Sequence, residues 1–290
     1  MMKYFGTDGM RGTFGVAPIN PFYFNVLAQA LWYFYGGLKR VIMGRDTRIS
    51  GEAIRQFLID GFPQSVEILD GGILTSPLLS RSVEHTKSDL GLMITASHNP
   101  AADNGVKIFD RAGMKLPQRD EEGIETVMDE IGKEVRNRGH RIVGYEVSAS
   151  YTMGDEIFQK FDKVVIDCAN GAAIEFAKKA YRFPEVEWLG VTPDGSNINA
   201  HCGSEYPSSL IEKVKDRGAH LGIAHDGDGD RLLLCDGKGK IIPGEAILGI
   251  IAIYLGCIGR LSNRKIVTTL MSNQGLERTL KTYDIGVDYV

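Results

Sequence analysis

Three carboxylates stand at alternate positions in Asp226-Gly227-Asp228-Gly229-Asp230, and Arg231 follows at once. Carboxylates at i, i+2 and i+4 on a glycine-rich loop can converge on one hard cation, and oxygen donors suit Mg2+. Packed so closely they repel one another unless something cationic joins them; the bland alternative is a solvated acidic turn. An EF-hand is excluded, because it needs glycine where Arg231 stands and glutamate where Gly237 stands. Thr95-Ala96-Ser97-His98-Asn99-Pro100 leaves the apolar run Gly91–Ile94. A serine on a loop at a strand end is exposed and orientable, as a nucleophile must be. His98 adjoins Ser97, but adjacent side chains seldom face each other, so no Ser-His-Asp triad is implied. The same segment also reads as a turn in which Ser97 and Asn99 bond the backbone.

Cations accompany these groups. Lys107, in Asn104-Gly105-Val106-Lys107, lies a short way past Ser97 and can return to it; a solvated lysine is the alternative. Arg11 sits on a glycine loop within Phe5–Gly12, and Arg231 beside the aspartates; both can reach a phosphoryl group. Arg45, in Gly44-Arg45-Asp46-Thr47-Arg48, is a further phosphate candidate, with a salt-bridged turn as the competing reading. The Walker pattern GxxxxGK[ST] is absent. A serine, a Mg2+ triad and phosphate-binding cations together point to phosphoryl transfer through a phosphoserine, driven by positioning and charge neutralisation.

The elements that must hold these residues follow a strand, polar loop, helix rhythm. Strands are predicted at Val41–Met43, Val66–Leu69 (ended by Asp70-Gly71-Gly72), Gly91–Thr95 and Val106–Phe109. Helical spacing covers Glu52–Gly61, entered through Ser50 and Gly51, and the charged stretch Glu121–Arg138. Arg136–Arg141 is basic and polar and reads as a boundary, with a second unit starting near Ser148. That unit repeats the pattern: strand Lys163–Asp167, a glycine turn, helix Ala173–Ala180, then strands His220–Ala224 and Arg231–Cys235. From Gly244 come helix Glu245–Leu255, strand Lys265–Thr269, helix Gly275–Lys281 and strand Gly286–Val290. The expectation is α/β throughout: two consecutive related mixed-sheet domains over 1–145 and 146–243, and a partial third over 244–290.

Composition narrows the class. The 290 residues are 43% hydrophobic and 24% charged, which excludes a disordered, collagen-like or coiled-coil chain. A net charge of −4 disfavours a general nucleic-acid or anionic-membrane binder. The four cysteines form no CxxC and no zinc spacing, and read as reduced residues of a cytoplasmic protein. The N-terminus lacks a signal-peptide apolar region, and the run Ala246–Ile258 is too short to span a bilayer. No nucleic-acid or membrane partner is expected.

In the order and spacing of Phe5–Gly12, Gly44–Arg48, Thr95–Pro100 with Asn104–Lys107, and Asp226–Arg231, the sequence resembles the α-D-phosphohexomutases over essentially its whole length. The stretch Pro193–Leu210 is similar to the hexosamine-specific members. The resemblance implies a phosphorylated hexosamine substrate, isomerised through its bisphosphate. It implies Ser97 as the phosphoserine, and Asp226, Asp228 and Asp230 as Mg2+ ligands with a phosphate oxygen on Ser97 completing the set. Arg11, His98, Lys107 and Arg231 would surround the transferred group, with Lys107 as candidate acid/base tuned by nearby cations. Mannose or glucose phosphates are the alternative substrates, and a non-catalytic interaction partner the alternative role. The family fold has three related α/β domains and a smaller fourth. Neither the GE-x-SGH-type sugar loop nor the RPSGTEP-type phosphate clamp occurs in this sequence. The expectation is therefore an incomplete third domain, an absent fourth, weak turnover, and apolar surface around Ala246–Ile258 and Ile285–Val290 left for a second copy or a longer mutase to cover.

Overall fold

The computed structural model describes residues 3–6, 8–131, 142–145 and 161–290. The expected continuation of a helix to Arg138, the boundary at 136–141 and the start near Ser148 lie outside them.

The first unit runs β1 (Met10–Thr13), α1 (Pro21–Phe34), β2 (Arg40–Arg45), α2 (Gly51–Gly61), β3 (Glu67–Ile73), α3 (Ser76–Thr86), β4 (Leu90–Ile94), β5 (Asp103–Phe109), α4 (Gln118–Ile131) and β6 (Ile142–Gly144). Its sheet has the order β1-β5-β4-β2-β3-β6. The four central and outer strands β4, β2, β3 and β6 are parallel, whereas β5 and β1 add antiparallel pairs at one edge. Strands covered on both faces read as unbroken apolar runs, and all five residues of β4 are buried. Alternation then sorts them. Val41, Met43, Leu92 and Ile94 join the core under α1, α2 and α4, while Ile42 and Met93 pack on the α3 side with Leu79 and Val83.

The second unit runs β7 (Lys163–Asp167), α5 (Ala173–Ala180), β8 (Glu185–Leu189), α6 (Ser208–Arg217), β9 (Leu221–His225), β10 (Leu232–Asp236) and β11 (Ile241–Ile242). Its sheet order is β11-β10-β9-β7-β8, parallel from β8 to β9 and antiparallel beyond. The last unit runs α7 (Gly244–Cys257), a short 3-10 turn, β12 (Lys265–Thr268), α8 (Gln274–Lys281) and β13 (Gly286–Tyr289), with β12 and β13 parallel. Its small core is Ala252, Ile266, Leu276, Leu280 and Ile285, while Ile250 and Leu270 are exposed and Met271 is 91% exposed. No helix among the described residues is long and apolar enough to cross a membrane.

The two related mixed-sheet units follow the expected pattern, with local differences. Strand β3 runs through Asp70-Gly71-Gly72 to Ile73, and β5 begins at Asp103. Arg11 lies within strand β1, paired opposite Gly105, not on a loop. Helix α1 escaped the periodicity because it is apolar almost all round: it buries Phe24, Val26, Leu27, Ala28, Ala30 and Leu31. Its start is nonetheless marked, since the Asn20 side chain accepts from Tyr23 N at 3.2 Å and Pro21 opens the helix.

Candidate active site

The loops after β2, β4 and β9 leave the carboxyl ends of parallel strands, where ligands bind in α/β sheets. The loop after β4 carries Ser97, which is 2% exposed and has φ 52°. A serine in the left-handed region is unusual and needs outside support. Ser97 N donates to Thr95 Oγ1 at 2.8 Å, and Thr95 Oγ1 donates to Asp46 Oδ2 at 2.7 Å. The far side of the loop is held by Arg48, whose side chain is fully buried. Its Nη2 donates to Ser97 O at 2.9 Å and Asn99 O at 2.8 Å; its Nη1 donates to Asp103 O at 2.9 Å and also to Pro100 O. Its charge is met by the equally buried Asp46, Nε to Oδ2 2.9 Å. Thus Gly44–Arg48 contributes a salt-bridged turn that scaffolds the serine. Arg45 pairs with Glu52 at 3.4 Å and donates to Asp46 O, and these contacts do not bring it to the aspartates.

The loop after β9 carries the aspartates across to Ser97. Ser97 Oγ donates to Asp226 Oδ2 at 2.7 Å, although the two residues belong to different units. Asp226, Asp228 and Asp230 each offer one carboxylate oxygen within 4.8 Å of the others. Asp226 Oδ1 accepts from Asp230 N and Arg231 N, which folds the loop around its first carboxylate. Burial, with Asp228 and Asp230 adding to it, pushes the Asp226 carboxyl up to about 7. Asp228 experiences burial too, but Lys107 and Ser76 outweigh it and hold this carboxyl below its ordinary value. Asp228 Oδ2 accepts from Ser76 Oγ at 2.5 Å and from Lys107 Nζ at 2.7 Å, while Oδ1 is buried without a partner. Hard oxygen donors, mutual repulsion and an orphaned buried carboxylate oxygen all fit a divalent cation. A millimolar divalent cation should therefore raise the melting temperature by mass action. Asp230→Asn, at the most exposed of the three, should weaken its binding at least about tenfold and shrink that rise, as calorimetric titration and thermal melts would read.

Lys107 stands opposite Met93 in the β4–β5 pair, which puts it on the α3 face, where Ser76 opens the helix. Its ammonium lies 2.6 Å from Asp230, 2.7 Å from Asp228 and 3.2 Å from Asp8. Burial opposes its charge, but Asp228 and Asp230 outweigh it and hold the lysine above its ordinary value. The expected tuning by nearby cations is thus reversed: its neighbours are carboxylates. Half-buried His98 has an unpartnered Nδ1, and burial, then Arg231 and Arg11, hold the ring below its ordinary value. Arg11 donates to Asp8 at 2.5 Å. Arg231 pairs with Glu205 at 2.8 Å and lies 4.0 Å from Asp226. Sequence reasoning missed Asp8, Ser76, Arg48 and Glu205; Asp8, Arg48 and Glu205 sit within stretches it had singled out, and Ser76 does not.

A buried serine hydroxyl and a lysine of the first α/β unit thus face three carboxylates of the second, the arrangement that the resemblance to the phosphohexomutases leads one to expect. Models of the phosphoglucomutase/phosphomannomutase family match twice in succession, the alpha/beta/alpha domain I over residues 2–135 and domain II over 154–239. The chain belongs to this family. Its relatives include the phosphoglucosamine mutase of Carboxydothermus hydrogenoformans, 39% identical over 99% of this chain and 68% of its own length. That of Gluconacetobacter diazotrophicus is 41% identical over 99% of this chain and 66% of its own length. A phosphoglucomutase/phosphomannomutase family protein from Burkholderia thailandensis shares the fold, with a TM-score of 0.81 at 23% identity, covering 100% of this chain and 66% of that one. The chain spans about two thirds of the length of the curated relatives it matches.

Proposed function

We propose that the chain provides the phosphoserine and metal-binding part of a phosphoglucosamine mutase, which interconverts glucosamine 6-phosphate and glucosamine 1-phosphate through the sugar bisphosphate. The observation that carries this reading is the 2.7 Å approach of Ser97 Oγ to Asp226 across two units, beside Lys107 and the other aspartates. The relatives named above favour the hexosamine over the glucose and mannose phosphates. In the forward transfer the bond from phosphorus to Ser97 Oγ breaks and a bond from phosphorus to a sugar hydroxyl oxygen forms. The hydroxyl gives up its proton and Ser97 Oγ regains one. After the sugar turns, the same exchange in reverse returns the other phosphoryl group to Ser97.

Asp226, Asp228, Asp230 and Ser97 would hold Mg2+, which supplies neutralisation of the phosphoryl oxygens. Arg11, His98 and Arg231 would line the transferred group and bind its equatorial oxygens. Lys107 is the acid/base candidate: it is an ammonium while the carboxylates face it, and that hold relaxes once they are committed to a cation. The three free buried cysteines Cys168, Cys202 and Cys235 support a reducing, cytoplasmic setting. We assign the units to 1–145, 146–243 and 244–290. The exposed Ile250, Leu270 and Met271 favour cover by further polypeptide, a second copy or a longer mutase.

The test is intact-mass and peptide-mapping analysis after incubation with Mg2+ and the sugar bisphosphate. One phosphoryl group should appear, on Ser97 alone; an unmodified Ser97 would overturn the reading. A coupled assay offering glucosamine, glucose and mannose phosphates then decides the sugar. The 290 residues as such should turn over far below a full-length relative, because binding energy from the remote phosphate positions the reacting end.

A further inference from the structure

The segment Pro193–Leu210 joins β8 to α6 and approaches the serine loop from the second unit. Within it Asn199 is 4% exposed and has φ 57°. Its Nδ2 donates to Ser97 O at 2.8 Å and to Asn99 O at 3.1 Å. These are the two carbonyls that Arg48 Nη2 also engages. Both acceptors are carbonyl oxygens, so the amide nitrogen must face them. Asn199 is itself fixed by its backbone N–H, which donates to Ala169 O at 2.9 Å. The serine loop is thus held from its own unit by Arg48 and from the other unit by Asn199.

We propose that Asn199 is a positioning residue that acts through Ser97: seated in the second unit, it fixes the left-handed serine backbone and so sets where the acceptor oxygen lies against the aspartates. For its chemistry this rests on the mutase reading above. Asn199 donates to none of the aspartates, so its loss should change the rate of transfer and leave binding of the bisphosphate alone. Misplacing a reacting oxygen, or losing an outer support of a metal site, typically lowers rate by about 10–100-fold.

Two variants separate this from a plain folding defect. Asn199→Gly removes the donor and tolerates φ 57°; Asn199→Asp keeps the size and tolerates the same φ, but turns an acceptor toward the two carbonyls. Asn199→Gly should melt near the wild type, because Arg48 still serves both carbonyls, and Asn199→Asp lower, because it buries a carboxylate against them. Assayed well below either melt, both should phosphorylate Ser97 about 10–100-fold more slowly and reach half-maximal rate at the same bisphosphate concentration. An unchanged rate would overturn the proposal, as would a loss that merely tracks the unfolded fraction. Amide hydrogen exchange over residues 95–104 gives an independent reading, and it should rise in Asn199→Gly. If wild-type Ser97 takes no phosphate yet exchange rises, the mutase reading falls and the positioning role stands. Unchanged exchange in that case would remove both.

Discussion

Replacing Arg48 with methionine should cost the folded protein about 3–5 kcal/mol, measured as a shift in urea midpoint at constant slope. The cost has two sources. Asp46 is fully buried and loses the cation that meets it at 2.9 Å. Four backbone carbonyls, those of Ser97, Asn99, Pro100 and Asp103, each lose a donor; Asn199 still serves the first two and Asp103 N the third, so the stranded carboxylate is the larger source. Methionine matches only the aliphatic stem of the side chain and replaces none of this. The double variant Asp46→Asn with Arg48→Met should lose less than the sum of the two single changes, because the uncompensated charge disappears. The pH dependence has a definite sign. Burial already holds Asp46 above the usual carboxylate range, against the pull of Arg48. Without Arg48 it moves further up. A carboxyl whose folded value exceeds its unfolded value binds a proton more tightly in the native state, so protonation favours folding. The variant's deficit should therefore be largest near neutral pH and narrow as pH falls through the folded value.

Gly227→Ala should lower phosphate transfer to Ser97 more than about 100-fold, read by the same mass assay. The glycine lies between Asp226 and Asp228, where the aspartate loop touches the serine loop. A Cβ placed there would stand 2.6 Å from Ser97 O, 2.8 Å from Ile198 Cδ1 and 2.9 Å from Asn199 Nδ2. The nearest of these is main chain and cannot swing aside, so the two loops must part, and the Ser97–Asp226 hydrogen bond goes with them. The overpacking itself should cost about 1–3 kcal/mol. Gly244→Ala is the matched comparison: its Cβ would meet nothing within 4 Å, and its helix gains a better former, so transfer and stability should hold.

The site's donors and acceptors were legible where their chemistry is local. Asp226-Gly227-Asp228-Gly229-Asp230 shows its convergence in its own spacing, and the apolar run before Ser97 places that serine at a strand end. Lys107 was legible because an antiparallel return is the short way back. Arg48 was not, since nothing in Gly44–Arg48 says that its guanidinium threads a loop some fifty positions on and feeds carbonyls, groups every residue carries. Ser76 was invisible for a related reason: it opens a helix whose start the periodicity did not mark, and it meets Asp228 only through the docking of two units. Elements followed the same division. Strands bounded by glycine turns stood out, while α1, apolar on nearly every side, offered no contrast between faces.

Each buried apolar cluster among the described residues lies within a single unit. What crosses between the first and second units at the site is polar: Thr47 Oγ1 to Asn170 O at 2.6 Å, Ile49 N to Gly195 O, Ser76 N to Asp228 O, and Asn199 to the serine loop. A greased seam parts only at the cost of wetting its whole area at once. A seam of hydrogen bonds can be unfastened one link at a time, with water taking each vacated partner, and then closed again in the same register. Such a seam is reversible by construction, which on the mutase reading proposed above would let a half-converted sugar turn before the same alignment is restored.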